Sequence, residues 1–139
     1  MLSKKSIQLR SQITQISNSL TDFIGCTAQK RSGHSIVKIE NGDAFFFNLL
    51  NNDKIAVSNS FATKGSAFPC HSHEQTELIV VYDGKIEITF PKDKKKYIFG
   101  PKEFIYIQAN QEHRGVILEN TWMIAITMPP SPDWPTGEL

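Results

Sequence analysis

Histidine and glutamate side chains are concentrated in one short stretch of the chain. His71 and His73 are two residues apart, so on a β-strand both rings leave the same face. Glu77 follows at a further even step, and His113 offers another imidazole later in the chain. Imidazoles and a carboxylate that converge on one face form a metal site. This mixed nitrogen and oxygen donor set suits Fe, Mn, Ni, Zn or Cu better than Mg or Ca.

The residues that follow Glu77 indicate why a metal would be its partner. A two-residue hairpin turn at Asp83-Gly84 would pair Glu77 with Phe90 and place Glu77 on an apolar interior face. An ionised carboxylate on such a face is costly unless a cation or a hydrogen-bond donor partners it. The other residues expected on that face are Ile79, Val81, Ile86, Ile88 and Phe90.

The elements that position these residues are short β-type runs separated by turn residues. Asn41-Gly42-Asp43 is a strong hairpin signal, because Asn and Gly tolerate positive φ. Eight or so strands at regular spacing predict an all-β sandwich or barrel. The expected runs are residues 34–40, 44–50, 55–63, 77–82, 85–90, 97–99, 104–108, 115–119 and 122–127.

Both ends of the chain differ from this β-rich part. Residues 5–24 carry apolar side chains at helical spacing, which predicts a short helix or irregular arm across the domain, or a dimerising helix. We therefore divide the chain into an N-terminal arm (1–33), a barrel (34–128) and a Pro-rich extended tail (129–139).

Composition limits the classes of function. The chain has 139 residues, with 15 Lys and Arg against 14 Asp and Glu, so its net charge is +1. This balance gives no basic face for nucleic acid, and no apolar run is long enough to span a membrane. The first residues lack a secretory apolar region, and two cysteines are too few for a disulfide framework. We expect a soluble cytoplasmic domain.

The histidine-rich stretch resembles the first conserved motif of the cupins. Every specified position of that motif is filled: Gly65, His71, His73, Glu77 and Gly84. Residues 102–113 are similar to the second cupin motif. They keep its histidine at His113, but the usual Gly, Pro and Gly of that motif fall at Lys102, Gln108 and Asn110. Asn110 can still take the left-handed turn conformation. The resemblance covers residues 55–128.

The resemblance implies both a fold and a metal site. The fold is a double-stranded β-helix, the jelly-roll barrel of six to eight strands, with one divalent transition metal inside one mouth. His71, His73, Glu77 and His113 would be its four protein ligands. Two coordination positions would remain for water, substrate or dioxygen. A metal-dependent enzyme acting on a small organic molecule follows, of dioxygenase, lyase or decarboxylase, or isomerase type.

Two other functions stay open. One is a non-catalytic cupin that binds or senses a small ligand. The other is a structural homodimer, because the outward face with Leu78, Val80 and Tyr82 is half apolar and requires cover from the arm or a second subunit. The catalytic residues are not identified, and the candidates are Glu74, Tyr106, Glu112 and Arg114.

The sequence leaves two alternatives for the side chains that line the site. Either Phe104, Tyr106 and Gln108 or Ile105 and Ile107 face inward. Inward Phe90, Tyr106 and Trp122 would make an aromatic cavity. Such a cavity favours an aromatic or modestly polar ligand over a phosphosugar, which requires Arg or Lys near the metal. Arg114 would either clamp a carboxylate or face solvent. Cys70 is expected to be a small packed residue rather than a ligand.

Overall fold

In the computed structural model of this chain, the described residues are 34–130, and they form β-strands joined by turns. Within this range there is one 3₁₀ turn, Pro91–Asp93, and no α-helix. The predicted all-β class is confirmed. The strands are β1 (His34–Ile39), β2 (Gly42–Asn51), β3 (Ala56–Ala62), β4 (Ala67–His71), β5 (Thr76–Phe90), β6 (Lys95–Phe99), β7 (Phe104–Ile107) and β8 (His113–Met128).

The arm predicted for residues 1–33 and the tail from residue 131 lie outside the described residues, so both stay predictions. No helix in the part of the chain that is described is long and apolar enough to cross a membrane.

The sheet is built around the two longest strands, β5 and β8, which pair antiparallel from Thr76↔Met128 to Thr89↔Arg114. The C-terminal half of β8 also pairs with β3, which leads on to β2 and β1, and its N-terminal half pairs with β4. The two halves of β5 pair with β7 and β6. A bridge between Glu40 and Ala67 joins the end of β1 to β4 and helps to close the sheet around its core.

The two-residue hairpin predicted at Asp83-Gly84 is wrong. β5 continues through both residues, and its register with β8 is irregular between Val81 and Ile86. Thr121 on β8 compensates locally, because its Oγ1 accepts a hydrogen bond from the Lys85 N–H at 3.0 Å. The expected break between residues 115–119 and 122–127 is likewise absent, since β8 is one strand there.

The interior face predicted for this region is nevertheless confirmed. The irregularity shifts the alternation of β5 by one residue, so odd-numbered side chains point inward before it and even-numbered ones after it. A hairpin would have had the same effect on the alternation. The buried side chains of β5 include Glu77, Ile79, Val81, Ile86, Ile88 and Phe90.

The opposite face of the sheet carries a second apolar cluster. Phe47, Phe61 and Trp122 are buried there, and the Phe61 and Trp122 ring centroids are 4.7 Å apart. The Tyr82 hydroxyl lies at its edge and donates to Asn59 Oδ1 at 2.6 Å. Trp122 therefore packs outside the barrel interior, and the expected inward Trp122 is wrong.

We predict that Gly84→Ala destabilises the protein by roughly 2–5 kcal/mol. A side chain is strained in the left-handed backbone conformation of this residue, and the added Cβ also overlaps neighbouring atoms. Gly84 has φ +94°, and a Cβ there would overlap the Asn120 carbonyl oxygen and lie 2.6 Å from Thr121 Cα. Gly65 is the matched control, because its φ is +91° but nothing lies within 4 Å of its Cβ position. Gly65→Ala should cost only about 1–2 kcal/mol. Urea unfolding of both variants measures the difference, and equal losses would contradict the overlap.

Candidate metal centre

His71 and His113 are brought together by strand pairing. His71 is the last residue of β4, His113 is the first residue of β8, and the two are direct partners across the ladder. Their ring centroids are 4.3 Å apart. His113 falls between the expected runs 104–108 and 115–119, which predicts a loop position for it. That prediction is wrong, because β8 begins at His113, two residues after the turn that ends at Gln111.

His73 reaches the site from a loop rather than from the strand expected for it. β4 ends at His71, and residues 72–75 connect it to β5. The Asn110 N–H donates to the His73 carbonyl oxygen at 2.7 Å, which ties this loop to the second motif. Asn110 has φ +64°, as expected for a position where cupins carry glycine, and Lys102 is also left-handed at +71°.

The three imidazoles are oriented in the same way. Each Nδ1 lies 2.7–2.8 Å from a backbone carbonyl oxygen two residues away: His71 on Pro69, His73 on Gln75 and His113 on Gln111. A carbonyl oxygen only accepts, so each Nδ1 carries the proton and donates it. In the neutral imidazole this leaves Nε2 without a proton, which is the state that a metal ligand requires.

Glu77 adds a carboxylate to this group. Its Oε1 lies 3.5 Å from His73 Nε2 and 3.9 Å from His113 Nε2. The three histidines alone offer ligand atoms within 4.8 Å of one another. Glu77 is 7% exposed and His113 is 4% exposed, whereas His71 and His73 are half-buried, so the group lies partly open to solvent. The three histidines form a group that can hold a metal ion, and the Glu77 carboxylate lies beside it.

Burial and charge act on the histidines in opposite directions. The hydrogen bond with Glu77 raises the pKa of His73 above its ordinary value, against the opposing effect of burial. Burial is the main cause that lowers the pKa of His113. The charged form of His73 is therefore favoured by its carboxylate, whereas His113 is held neutral.

A cavity of about 50 Å³ opens beside these donors. Ile105 and Ile107 are buried, while Phe104 and Tyr106 are more than half exposed, which decides between the two readings of β7. The aromatic lining expected from Phe90, Tyr106 and Trp122 is wrong, because none of these three residues lines the cavity. The lining residues are Phe46, Ser60, Phe68, His71, Glu77, Ile79, Ile86, Ile88, His113, Gly115, Met123 and Ala125.

The candidate catalytic residues lie outside this lining. Tyr106 is 55% exposed on the outward face of β7. Arg114 pairs with Glu40, with 2.6 Å between Nη2 and Oε2, and so does not clamp a ligand at the donors. Glu112 is half-buried beside His113, and Glu74 is exposed.

Cys70 is exposed as well, so the expectation of a packed cysteine is wrong. β4 ends one residue after it, and its position in the alternation points it away from the cavity that His71 lines.

Sequence reasoning did not identify the cavity walls on β2, β3 and β4. Phe46 and Phe68 supply its aromatic surface, and Ser60 supplies a hydroxyl. A signal existed for Ser60, because Ser58 and Ser60 alternate with Val57 and Phe61 along β3. That pattern alone favours an outward serine face, which is the reverse of what the barrel adopts.

We predict that Glu77→Gln lowers the pKa of His73 in metal-free protein, because it removes the charge that favours the imidazolium. Because the pKa of His73 is higher in the folded than in the unfolded protein, protonation of His73 stabilises the fold. This stabilisation is complete below the unfolded-state pKa of about 6.5, and it is lost as the pH rises through the folded-state pKa. The variant should lose that extra stability at low pH. Ring-proton NMR titration measures the pKa. Glu119→Gln is the control, because Glu119 forms an exposed ion pair with Lys85. An unchanged His73 pKa in Glu77→Gln would show that Glu77 does not raise it.

Comparison with protein families gives one result that bears on this site. A family model described as Cupin domain matches residues 60–128, a segment that contains all four proposed ligands. No curated protein matches the sequence.

Solved structures share the fold at low identity. An RmlC-like cupin from Shewanella frigidimarina is 16% identical with a TM-score of 0.64, and the match covers 76% of this chain and 99% of that one. The polyketide cyclase RemF from Streptomyces resistomycificus is 17% identical with a TM-score of 0.63, over 76% and 81% of the two chains. KdgF from a Halomonas species is 18% identical with a TM-score of 0.63, over 71% and 91%.

At these sequence identities the structural similarity establishes the jelly-roll barrel fold but does not indicate an activity. The family match adds the segment with both histidine motifs. On the motifs, the barrel and the family match together, the chain belongs to the cupin superfamily.

Proposed function

We propose that this cupin is a metal-dependent enzyme that acts on a small organic molecule inside its barrel. His71, His73, Glu77 and His113 would hold one divalent transition metal. The observation that carries the proposal is the common orientation of the three imidazoles, whose Nδ1–H groups all donate to backbone carbonyls. The three histidines offer ligand atoms within 4.8 Å of one another, and Glu77 Oε1 lies 3.5 Å from His73 Nε2 and 3.9 Å from His113 Nε2. This donor set fits Fe, Mn, Ni, Zn or Cu.

The chain's own residues supply binding and exclusion of water. The walls made by Ile79, Ile86, Ile88 and Met123 keep the ligand in an apolar environment, where electrostatic contacts with the donors are strong. When bound, a metal of this class supplies Lewis-acid polarisation of a substrate oxygen, or a site for dioxygen if it is redox-active. Dioxygenase, lyase or decarboxylase, and isomerase reactions all fit these parts.

Binding without catalysis is the second candidate, and one observation favours it. Among the lining residues, His71, Glu77 and His113 are the only ones with an acidic or basic side chain, and all three are proposed ligands. Any acid or base beyond the ligands would have to come from the substrate or the metal-bound solvent. A sensing or storage cupin therefore fits as well, and it predicts tight ligand binding with no product.

We predict that purified protein made without a His tag holds about one equivalent of a transition metal, and that His71→Ala and His113→Ala each reduce it to below about a tenth. Both variants remove a free Nε2 from the group. His34→Ala is a matched control, because it removes a histidine of β1 that belongs to neither cupin motif. Elemental analysis measures the content.

The identity of the metal directs the next step. Iron lost in both variants justifies an oxygen-uptake screen, whereas zinc or nickel indicates Lewis-acid chemistry or a binding role. Wild-type protein that holds no metal and takes up none when offered would overturn the proposed site.

A homodimer remains part of the proposal. Phe104 and Tyr106 are 65% and 55% exposed and lie directly opposite Val80 and Leu78, so β7 and β5 present one outward apolar patch. An exposed patch of this kind is typical of a protein interface.

We predict that the double variant Phe104→Asp and Tyr106→Asp shifts the protein from dimer to monomer, because it places two charges in the proposed interface. Sedimentation velocity measures the mass. Ile36→Asp is the control, since Ile36 is 47% exposed on β1, far from β7 in the sheet order. A wild-type monomer, or an unchanged dimer in the double variant, would contradict the interface.

The cytoplasmic location and the absence of a nucleic-acid partner stay predictions from composition. The near-neutral charge supports the second, because nucleic-acid binding requires a concentrated basic surface.

A further inference from the structure

Three hydroxyl groups in the barrel interior have no hydrogen-bond partner among the described residues. They belong to Ser58, Ser60 and Thr127, whose residues are 4%, 1% and 6% exposed. A buried hydroxyl without a partner costs free energy, and native interiors contain few of them. Three in one region therefore indicate that something outside the fold of residues 34–130 satisfies them.

The strand register places all three on the inner wall. Ser60 lies opposite Met123, and Ser58 lies opposite Ala125, on the face of β8 that lines the cavity. Thr127 is two residues further along the same face of β8 and lies directly opposite Glu77. Directly opposite side chains have Cβ atoms about 4.5–5.5 Å apart.

These positions form a diagonal row that starts at a proposed metal ligand. From Glu77 the row passes to Thr127, then to Ser58 on the adjacent strand, and ends at Ser60, which lines the cavity directly. We call Thr127, Ser58 and Ser60 the hydroxyl track. Ser60 is the member of the track that lines the cavity, and Ser58 and Thr127 lie behind it in the row. The surrounding wall is apolar, so a ligand in this cavity finds at Ser60 a hydroxyl that both donates and accepts.

The cavity limits the ligand in size and charge. One water needs roughly 10–15 Å³ of such space, so about 50 Å³ admits a short carbon chain beside the donors but no ring system. No Lys or Arg belongs to the lining, so phosphate or a second carboxylate would find no fixed positive charge there.

We propose that the hydroxyl track binds a hydroxyl or carbonyl group of a short hydroxy- or oxo-compound, whose other polar end lies at the histidine donors. This inference deepens the proposed function and rests on it. It selects a small ligand with two polar ends and one charge at most, in preference to a hydrocarbon or a phosphorylated sugar.

The test compares ligand pairs that differ by one hydroxyl. Propionate with 3-hydroxypropionate, and butyrate with 4-hydroxybutyrate, are titrated into metal-loaded protein by calorimetry. Wild-type protein should bind one hydroxylated member at least about tenfold more tightly than its partner. Ser60→Ala should abolish that preference and leave the affinity of the unhydroxylated member unchanged.

Unfolding temperature provides a second measurement that needs no ligand. Ser58→Ala, Ser60→Ala and Thr127→Val each remove a hydroxyl that no protein group satisfies, so the midpoint of ligand-free protein should stay the same or rise. Ser66→Ala is the matched control. Ser66 is equally buried, but its hydroxyl donates to the Thr63 carbonyl at 2.6 Å, so this variant should unfold at a lower temperature.

The outcomes separate this inference from the proposed function. Wild-type protein without metal would overturn the proposed function, and with it the ligand end at the histidines. Metal-loaded protein that shows no hydroxyl preference in either pair, or a preference that persists in all three track variants, would overturn the track alone. A fall in the unfolding temperature of all three track variants, equal to that of Ser66→Ala, would assign the hydroxyls to bound structural water and also overturn it.

Discussion

The hydrogen bonds from the three Nδ1–H groups to backbone carbonyls are the interaction on which the site depends. An imidazole in an apolar barrel can hold its proton on either nitrogen, and only one choice leaves Nε2 free to bind a metal. His71, His73 and His113 each make that choice through a carbonyl two residues away, so the backbone itself selects the tautomer. No side chain is needed for this role. The site is thus as rigid as the strand ends and turns that hold those carbonyls.

Those strand ends are positioned by the two long strands. β5 carries Glu77 near its start, and β8 carries His113 at its start, and their antiparallel pairing extends through both halves of the barrel. The irregular register near Gly84 lets one strand serve both halves, with Ile79 and Val81 buried before it and Ile86, Ile88 and Phe90 buried after it. Thr121 satisfies the backbone that the irregularity would leave unpaired. The same feature therefore closes the core and keeps a carboxylate inside it.

On β3, small side chains face the barrel interior and a large one faces outward. On β3 the serines face the interior and the large Phe61 faces outward into the cluster with Trp122. Small inward residues leave room for the cavity, since bulky side chains at Ser58 and Ser60 would fill it. The interior therefore has less apolar packing along β3, and the cluster of Phe61 and Trp122 on the opposite face of the sheet provides apolar packing there. A chain built only for stability would have no reason to bury three hydroxyls without partners.

The sequence alone determined the fold class and the inward face of β5, because these follow from spacing and alternation, and its resemblance to the cupin motifs indicated the four proposed donors. It also indicated that Asn110 could replace a glycine. Only the tertiary structure decided that Asp83-Gly84 bends a continuous strand, since a side chain 36 positions away completes the backbone hydrogen bonding there. It likewise decided that His73 reaches the donors from a loop, that Arg114 is engaged by Glu40, and which face of β3 is the interior. Alternation gives the two faces of a strand but not which one is buried, because that depends on what the rest of the sheet places against it.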